Sequence, residues 1–138
     1  MTQILAHLWG DYLLQSDWMA VNKSKRSLPC AVHCLLYTLC FVPVTRSVPA
    51  LLVILLTHFA IDRFGLARYL VWAKNHIGPR GIVVFGHGGE TRWRYGSWTQ
   101  CQATGYSGDR PVWLTVWLTI VADNTLHLTI NYLALRWL

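Results

Sequence analysis

The sequence predicts an all-α protein, a four-helix transmembrane bundle with a Gly/aromatic-rich insertion between its third and fourth helices. Three observations predict it. Of 138 residues, 54% are hydrophobic and only 13% are charged, about half the charged share of an ordinary soluble domain. The apolar residues gather in four stretches that are too long for buried strands. Eight Trp and six Tyr suit a membrane–water interface, where one end of such a ring meets apolar surroundings and the other meets water.

The helices are expected at about residues 2–20, 28–44, 48–73 and 111–138, together forming a single membrane domain over 1–138. The second opens with Leu28-Pro29, and proline is tolerated in a first helical turn. The third carries Leu51-Leu52-Val53-Ile54-Leu55-Leu56, a run apolar on every side, which faces either a large core or lipid. It is expected to continue past Gly65 as an amphipathic end. The fourth begins at Pro111. A span takes about 20 residues, within a range of roughly 17–25, so the first two helices are at the short end.

Residues 75–110 differ in composition. They hold Gly78-Pro79, Gly86-His87-Gly88-Gly89, Trp93, Tyr95, Trp98 and Tyr106, and they are too glycine-rich for a fifth span. Ile82-Val83-Val84-Phe85 reads as a short strand or hairpin. Loops longer than about 15 residues are usually functional or disordered. The aromatics argue for order here, as a cap at the membrane surface. His76 and His87 read as solvated loop residues, and the Gly86–Gly89 run is too short for a phosphate loop.

The formal charge is +6, and its distribution decides what it means. Lys23, Lys25 and Arg26 lie in the first loop and Arg46 in the second. Arg68, Lys74, Arg80, Arg92, Arg94 and Arg110 lie in or beside the third. That spread does not make one DNA-binding face, and no nucleic-acid partner is expected. It matches the Lys/Arg excess of cytoplasmic loops, placing the first and third loops inside and both termini outside, with Arg136 a small count against. The N-terminus lacks a basic region and does not read as a cleavable signal peptide. Of the four cysteines, Cys30, Cys34 and Cys40 lie in an apolar stretch, where thiols behave as small hydrophobes. With Cys101 they form no CxxC pair, so no disulfide framework is expected.

The chemistry lies in ionisable residues inside the helices: His7 and Asp11 in the first, His33 in the second, His58 and Asp62 in the third, Asp123 and His127 in the fourth. Each pair is spaced i, i+4, so its members share a helix face. The order is His-then-Asp in the first and third helices and Asp-then-His in the fourth. With the fourth running the opposite way, every pair places His toward the outside and Asp toward the inside. Such a residue at a bilayer centre costs a few kcal/mol unless paired, so four His and three Asp call for a shared solution. A divalent metal centre supplies one, since His and Asp are ligands for Zn, Mn and Fe, and seven candidates suit two ions. The rival reading is a proton relay or ion path without metal.

Several neighbours complete the picture. Gln15 and Trp18 follow Asp11 on roughly the same face, and Asn124 and Asn131 flank His127. All four are candidates to orient ligands, with interfacial packing and interhelical hydrogen bonding as the alternatives. Tyr37, four residues after His33, reads as a packing residue with a hydroxyl able to donate.

The segment His7-Leu-Trp-Gly-Asp11-Tyr-Leu-Leu-Gln15-Ser-Asp-Trp18, followed by Asn22-Lys23, resembles the start of a family of uncharacterised small membrane proteins of bacteria and their phages. His33, the pair His58/Asp62 and the late pair Asp123/His127 match that family's order, whereas residues 75–110 look like an insertion. More remotely, the His/Asp arrangement is similar to inner-membrane proteins described as metal-dependent hydrolases. The resemblance implies a multi-pass protein of the bacterial inner membrane.

The resulting expectation is an integral membrane protein with an intramembrane His/Asp metal site, hydrolysing a phosphoester or lipid. Asp11, Asp62 and Asp123 would be its catalytic carboxylates, the bilayer its surroundings, and an anionic headgroup or phosphoester its ligand. The alternative is a non-enzymatic membrane protein that conducts ions or protons, or that binds a host membrane protein.

Overall fold

The computed structural model describes residues 2–77, 82–85, 91–94, 97–108 and 110–138, the two short segments 82–85 and 91–94 as backbone. Arg80, Tyr95 and the Gly86–Gly89 run with His87 lie outside them. The chain forms two compact units, one of residues 1–65 with 124–138, the other of residues 66–123. Among the described residues the chain is helical, as the sequence predicts, apart from one small hairpin.

In the first unit, α1 (Thr2–Leu8) runs into a π-helical turn, Trp9–Leu13, closed by Leu14 N–H donating to the Trp9 carbonyl at 2.9 Å. The helix expected over 2–20 is therefore broken. Ser16 is extended (φ −77°, ψ 161°) and α2 starts afresh at Asp17, running to Asn22. Ser16-Asp17 is a sequence that opens helices. Next, α3 spans Ser27–Leu39, and residues 40–44 continue only as tight turns, with Phe41 N–H to Thr38 O at 2.9 Å and Val44 N–H to Phe41 O at 2.9 Å. Pro43 accounts for the early stop, because proline disfavours helical geometry in the residue before it.

Ser47 caps α4 (Val48–Phe64), its hydroxyl accepting from Ala50 N–H at 3.4 Å, with Pro49 in the first turn. The third helix was expected to pass through Gly65, but it ends there. Gly65 is left-handed (φ 59°, ψ 48°) and its N–H returns to the Ile61 carbonyl, the usual glycine stop. A Gly65→Ala substitution is expected to lower stability by about 1–2 kcal/mol, the cost of a side chain in that region, measurable as a fall in thermal midpoint.

The core of this unit is Ala6, Tyr37, Phe41, Ile54 and Ala134. Gly10 lets α3 approach closely: a methyl group there would stand 2.5 Å from Tyr37 Cδ2 and 3.0 Å from its Cα.

The second unit holds α5 (Leu66–Ile77), the antiparallel strands β1 (Ile82–Phe85) and β2 (Thr91–Arg94), α6 (Trp98–Cys101) and the first half of α7 (Val112–Trp137). Ile82 pairs with Arg94 and Phe85 with Thr91, so the hairpin expected from Ile82-Val83-Val84-Phe85 forms. Tyr69 and Trp98 stack at 4.4 Å with Arg68 over both rings. Gly105 (φ 80°) lies directly on the Arg68 carbonyl and Val71.

Among the described residues no single helix is long and apolar enough to cross a membrane, although α4 and α5, broken at Gly65, pass together by length and composition. The 26-residue α7 is long enough, but Asp123, Asn124, His127 and Asn131 lower its hydropathy. Four independent spans are thus not what the helices display.

Candidate metal centre

Four helices of the first unit converge on a buried polar cluster. The π turn carries Asp11 inward, α3 brings His33 and Tyr37, α4 brings His58 and Asp62, and α7 brings His127. All six side chains are buried. A π turn holds one residue more than an α turn over the same length, and such turns recur at functional sites.

The centre of the cluster is a set of four donor atoms. His33 Nε2 and His58 Nε2 are 3.0 Å apart. Asp11 Oδ1 lies 3.2 Å from the first and 3.3 Å from the second. Asp62 Oδ2 stands at the same two distances, 3.2 and 3.3 Å. His127 Nε2 reaches the other Asp62 oxygen, Oδ1, at 3.4 Å. Hydrogen bonds alone do not satisfy this crowd, since each Nε2 carries at most one proton and one direction. Asp11 Oδ1 is buried and accepts no aligned hydrogen bond, a costly state for a carboxylate oxygen.

Among the described residues two groups have the geometry to hold a metal ion: Asp11, His33 and His58, and His58, Asp62 and His127, with the donor atoms of each within 4.8 Å of one another. Each is two imidazoles and one carboxylate, a ligand set found for Zn and for non-haem Fe(II). Metal–ligand bonds of about 2.0–2.2 Å set neighbouring ligand atoms roughly 3.0–3.4 Å apart, which is the spacing seen here. The donor set therefore fits a divalent ion.

Around these donors is a second ring of contacts. His7 is fully buried but belongs to neither group. Its Nε2 donates to Asn124 Oδ1 at 2.7 Å, and its Nδ1 faces the Tyr37 hydroxyl at 2.8 Å and Asp11 Oδ2 at 3.2 Å. Asn131 Nδ2 donates to the Tyr37 hydroxyl at 2.6 Å, and Asn124 Nδ2 to the Tyr12 hydroxyl at 2.7 Å. Tyr37 also stacks on the His58 ring, centroids 3.7 Å apart. These contacts orient Asp11 and His58, as groups around metal ligands commonly do. A Tyr37→Phe substitution is expected to cost about 1–3 kcal/mol by stranding the buried His7 and Asn131 groups; equilibrium unfolding would measure it.

Of the seven ligands expected from sequence, five meet: Asp11, His33, His58, Asp62 and His127. His7 stands behind Asp11, and Asp123 lies half-buried one turn before His127, outside both groups. The imidazoles do adjoin one another, His58 to His127 at 4.0 Å, His33 to His58 at 5.0 Å and His7 to His127 at 6.1 Å. Asn124 and Asn131 hold His7 and Tyr37. Gln15 is in the break before α2, its Oε1 buried, and Trp18 is exposed. Tyr37 is a core residue rather than an interfacial one. Sequence reasoning missed Lys23, whose ammonium lies 2.9 Å from Asp62 Oδ2. Its only sequence signal was its place in the segment that follows the N-terminal motif.

The fold and the site together define a helical protein with a buried His/Asp centre able to hold a metal ion. The chain belongs to the family described as Protein of unknown function (DUF3307), whose model matches residues 1–79. That match covers Asp11, Lys23, His33, His58 and Asp62 and stops before α7. No curated protein and no solved structure matches the chain.

Proposed function

We propose that this chain is a membrane-associated, metal-dependent hydrolase whose His/Asp centre acts on a phosphoester or a lipid. The observation that carries this reading is the Asp11–His33–His58 triangle, with donor atoms 3.0–3.3 Å apart. His58 belongs to both groups, and one Nε2 serves one ion at a time, which favours a single Zn, Mn or Fe ion over two. A bound divalent ion would acidify a water molecule and polarise a phosphoryl or carbonyl oxygen. The chain supplies the rest. Whichever of Asp11 and Asp62 is not engaged by the ion is left to take up the proton that the water releases.

Association with a membrane is supported by the apolar surface. Leu28, Leu35, Leu39, Leu52 and Leu56 are exposed on α3 and α4, and Trp113, Trp117 and Val121 on α7. Exposed large apolar side chains in such number suit a surface covered by lipid. Lys25 and Arg26, next to Leu28, suit an anionic headgroup.

The non-enzymatic alternative, a proton relay, is supported by His33 and His58, whose Nε2 atoms are 3.0 Å apart, since an imidazole takes up and releases protons near neutral pH. Elemental analysis of detergent-purified protein separates the two. The hydrolase reading expects about one equivalent of transition metal and phosphoester hydrolysis that stops on chelation and returns on reloading. A folded protein free of metal would sink it.

A further inference from the structure

We propose that Lys23 is a positioning residue that holds Asp62 back from the ion, so that Asp11, His33 and His58 carry the metal and one coordination position stays open. This rests on the hydrolase reading above and says which donors serve it.

Four donors stand close enough to close a tetrahedron. His33 Nε2 and His58 Nε2 are 3.0 Å apart, and each lies 3.2–3.3 Å from Asp11 Oδ1 and from Asp62 Oδ2. An ion taken by all four would have no place left for a water molecule, as in structural sites. Catalytic sites keep three protein ligands and an open position. A hydrolase therefore needs one of the four withheld, and the two carboxylates differ in what else they touch. Asp11 turns its second oxygen, Oδ2, to His7 Nδ1 at 3.2 Å and leaves Oδ1 to the imidazoles of His33 and His58. Asp62 presents Oδ2 to the same imidazoles, but that oxygen is already paired with the Lys23 ammonium at 2.9 Å. Its Oδ1 faces His127 Nε2 at 3.4 Å.

Charge then separates the two carboxylates. An ion bound to Asp62 Oδ2 would stand within about 5 Å of the ammonium, given metal–oxygen bonds of about 2.0–2.2 Å. Like charges at that range repel strongly where water is scarce, and the side chain of Asp62 is 3% exposed and that of His33 0%. The ion pair also divides the charge that Asp62 can offer. Asp11 is the carboxylate left to bind the ion, and Asp62 the one not engaged by it.

The lysine is held in place for this task. Lys23 is the first residue after α2, and its N–H donates to the Met19 carbonyl at 2.8 Å. Arg63, the residue after Asp62, ties the following turn to α4: Nη1 donates to the Ser24 carbonyl at 2.8 Å and Nε to Ser27 Oγ at 3.3 Å. Asn22 O accepts from both Lys25 N–H and Arg26 N–H at 2.9 Å, closing that turn.

The test is titration of Co(II) into metal-free, detergent-solubilised protein against a chromophoric chelator. The visible spectrum, which responds to the number of ligands, is recorded on each sample. Asp11→Asn is expected to lose more than about a hundredfold in affinity, beyond the cost of changing a group that only orients ligands. Asp62→Asn should lose less than that and keep the parent spectrum. Lys23→Met releases Asp62 to join the ion, so affinity should rise roughly tenfold, within the coupling expected of residues in contact, and the spectrum should change. Most of that gain should vanish in the double variant Lys23→Met/Asp62→Asn, and Lys23→Arg should behave as the parent. Equal loss of Co(II) in Asp11→Asn and Asp62→Asn would overturn the proposal, and so would a Lys23→Met variant that binds Co(II) no tighter than the parent. Either result leaves the hydrolase reading standing. A parent protein that binds no Co(II) would bring down that reading, and the proposal with it.

Discussion

A His58→Ala variant is expected to emerge from gentle purification without metal. His58 is the only residue shared by both donor groups, and its Nε2 lies 3.0 Å from His33 Nε2 and 3.3 Å from each of the two carboxylates. Removing it leaves two donors in either group. Changes to groups that merely orient ligands cost about 10–100-fold in metal affinity, so losing the common ligand should exceed that range. Asp123→Ala is the paired control, because Asp123 lies outside both groups. Elemental analysis of both variants beside the parent reads the result. Full metal in His58→Ala would remove the centre from consideration, and loss in Asp123→Ala would return that carboxylate to the ligand set.

The second large effect is expected from Gly10→Ala. The added methyl would stand 2.5 Å from Tyr37 Cδ2, 3.0 Å from Tyr37 Cα and 3.1 Å from Cγ. One of these is backbone, so a rotamer change cannot relieve the contact and α3 must move. Overpacking of this kind costs about 1–3 kcal/mol. The displacement also bears on function, since Tyr37 stacks on His58 and bonds His7. Thermal unfolding should show the loss, and metal affinity should fall with it. Gly108→Ala, whose nearest neighbour would be the Gln100 carbonyl at 3.9 Å, should change neither. Equal midpoints for the two variants would mean that the close approach at Gly10 is not needed.

Much of this arrangement was legible in the sequence, and the exceptions have identifiable causes. The i, i+4 spacing of His58 and Asp62 put both on one face, and they do meet at the cluster. The spacing of His7 and Asp11 predicted a shared face equally well, but which of them points at the donors is decided by the π turn. No residue pattern announces that extra residue. In the fourth helix, the same spacing could not say whether Asp123 or Asn124 would face inward, because that depends on rotation about the α7 axis. Gly65 and Ser16-Asp17 were readable as a stop and a start. The apolar pattern running across them masked the signals, as hydrophobic periodicity continues through a bend. Lys23 was hidden for another reason: it lies 39 positions from Asp62, and only folding brings them together.

The burial of the five donor side chains, each under a tenth exposed, has a consequence for how an ion would arrive. A cation enters such a centre only after shedding its hydration shell. Exchange with the surrounding metal pool would then be slow compared with folding of the chain. Intrinsic affinities rank divalent ions in a fixed order that favours copper and zinc, but that ranking governs occupancy only where exchange reaches equilibrium. In a centre closed this way, the occupant would reflect which ion was available while the helices were assembling. Protein made under different metal supplies would carry different ions and hold them through purification.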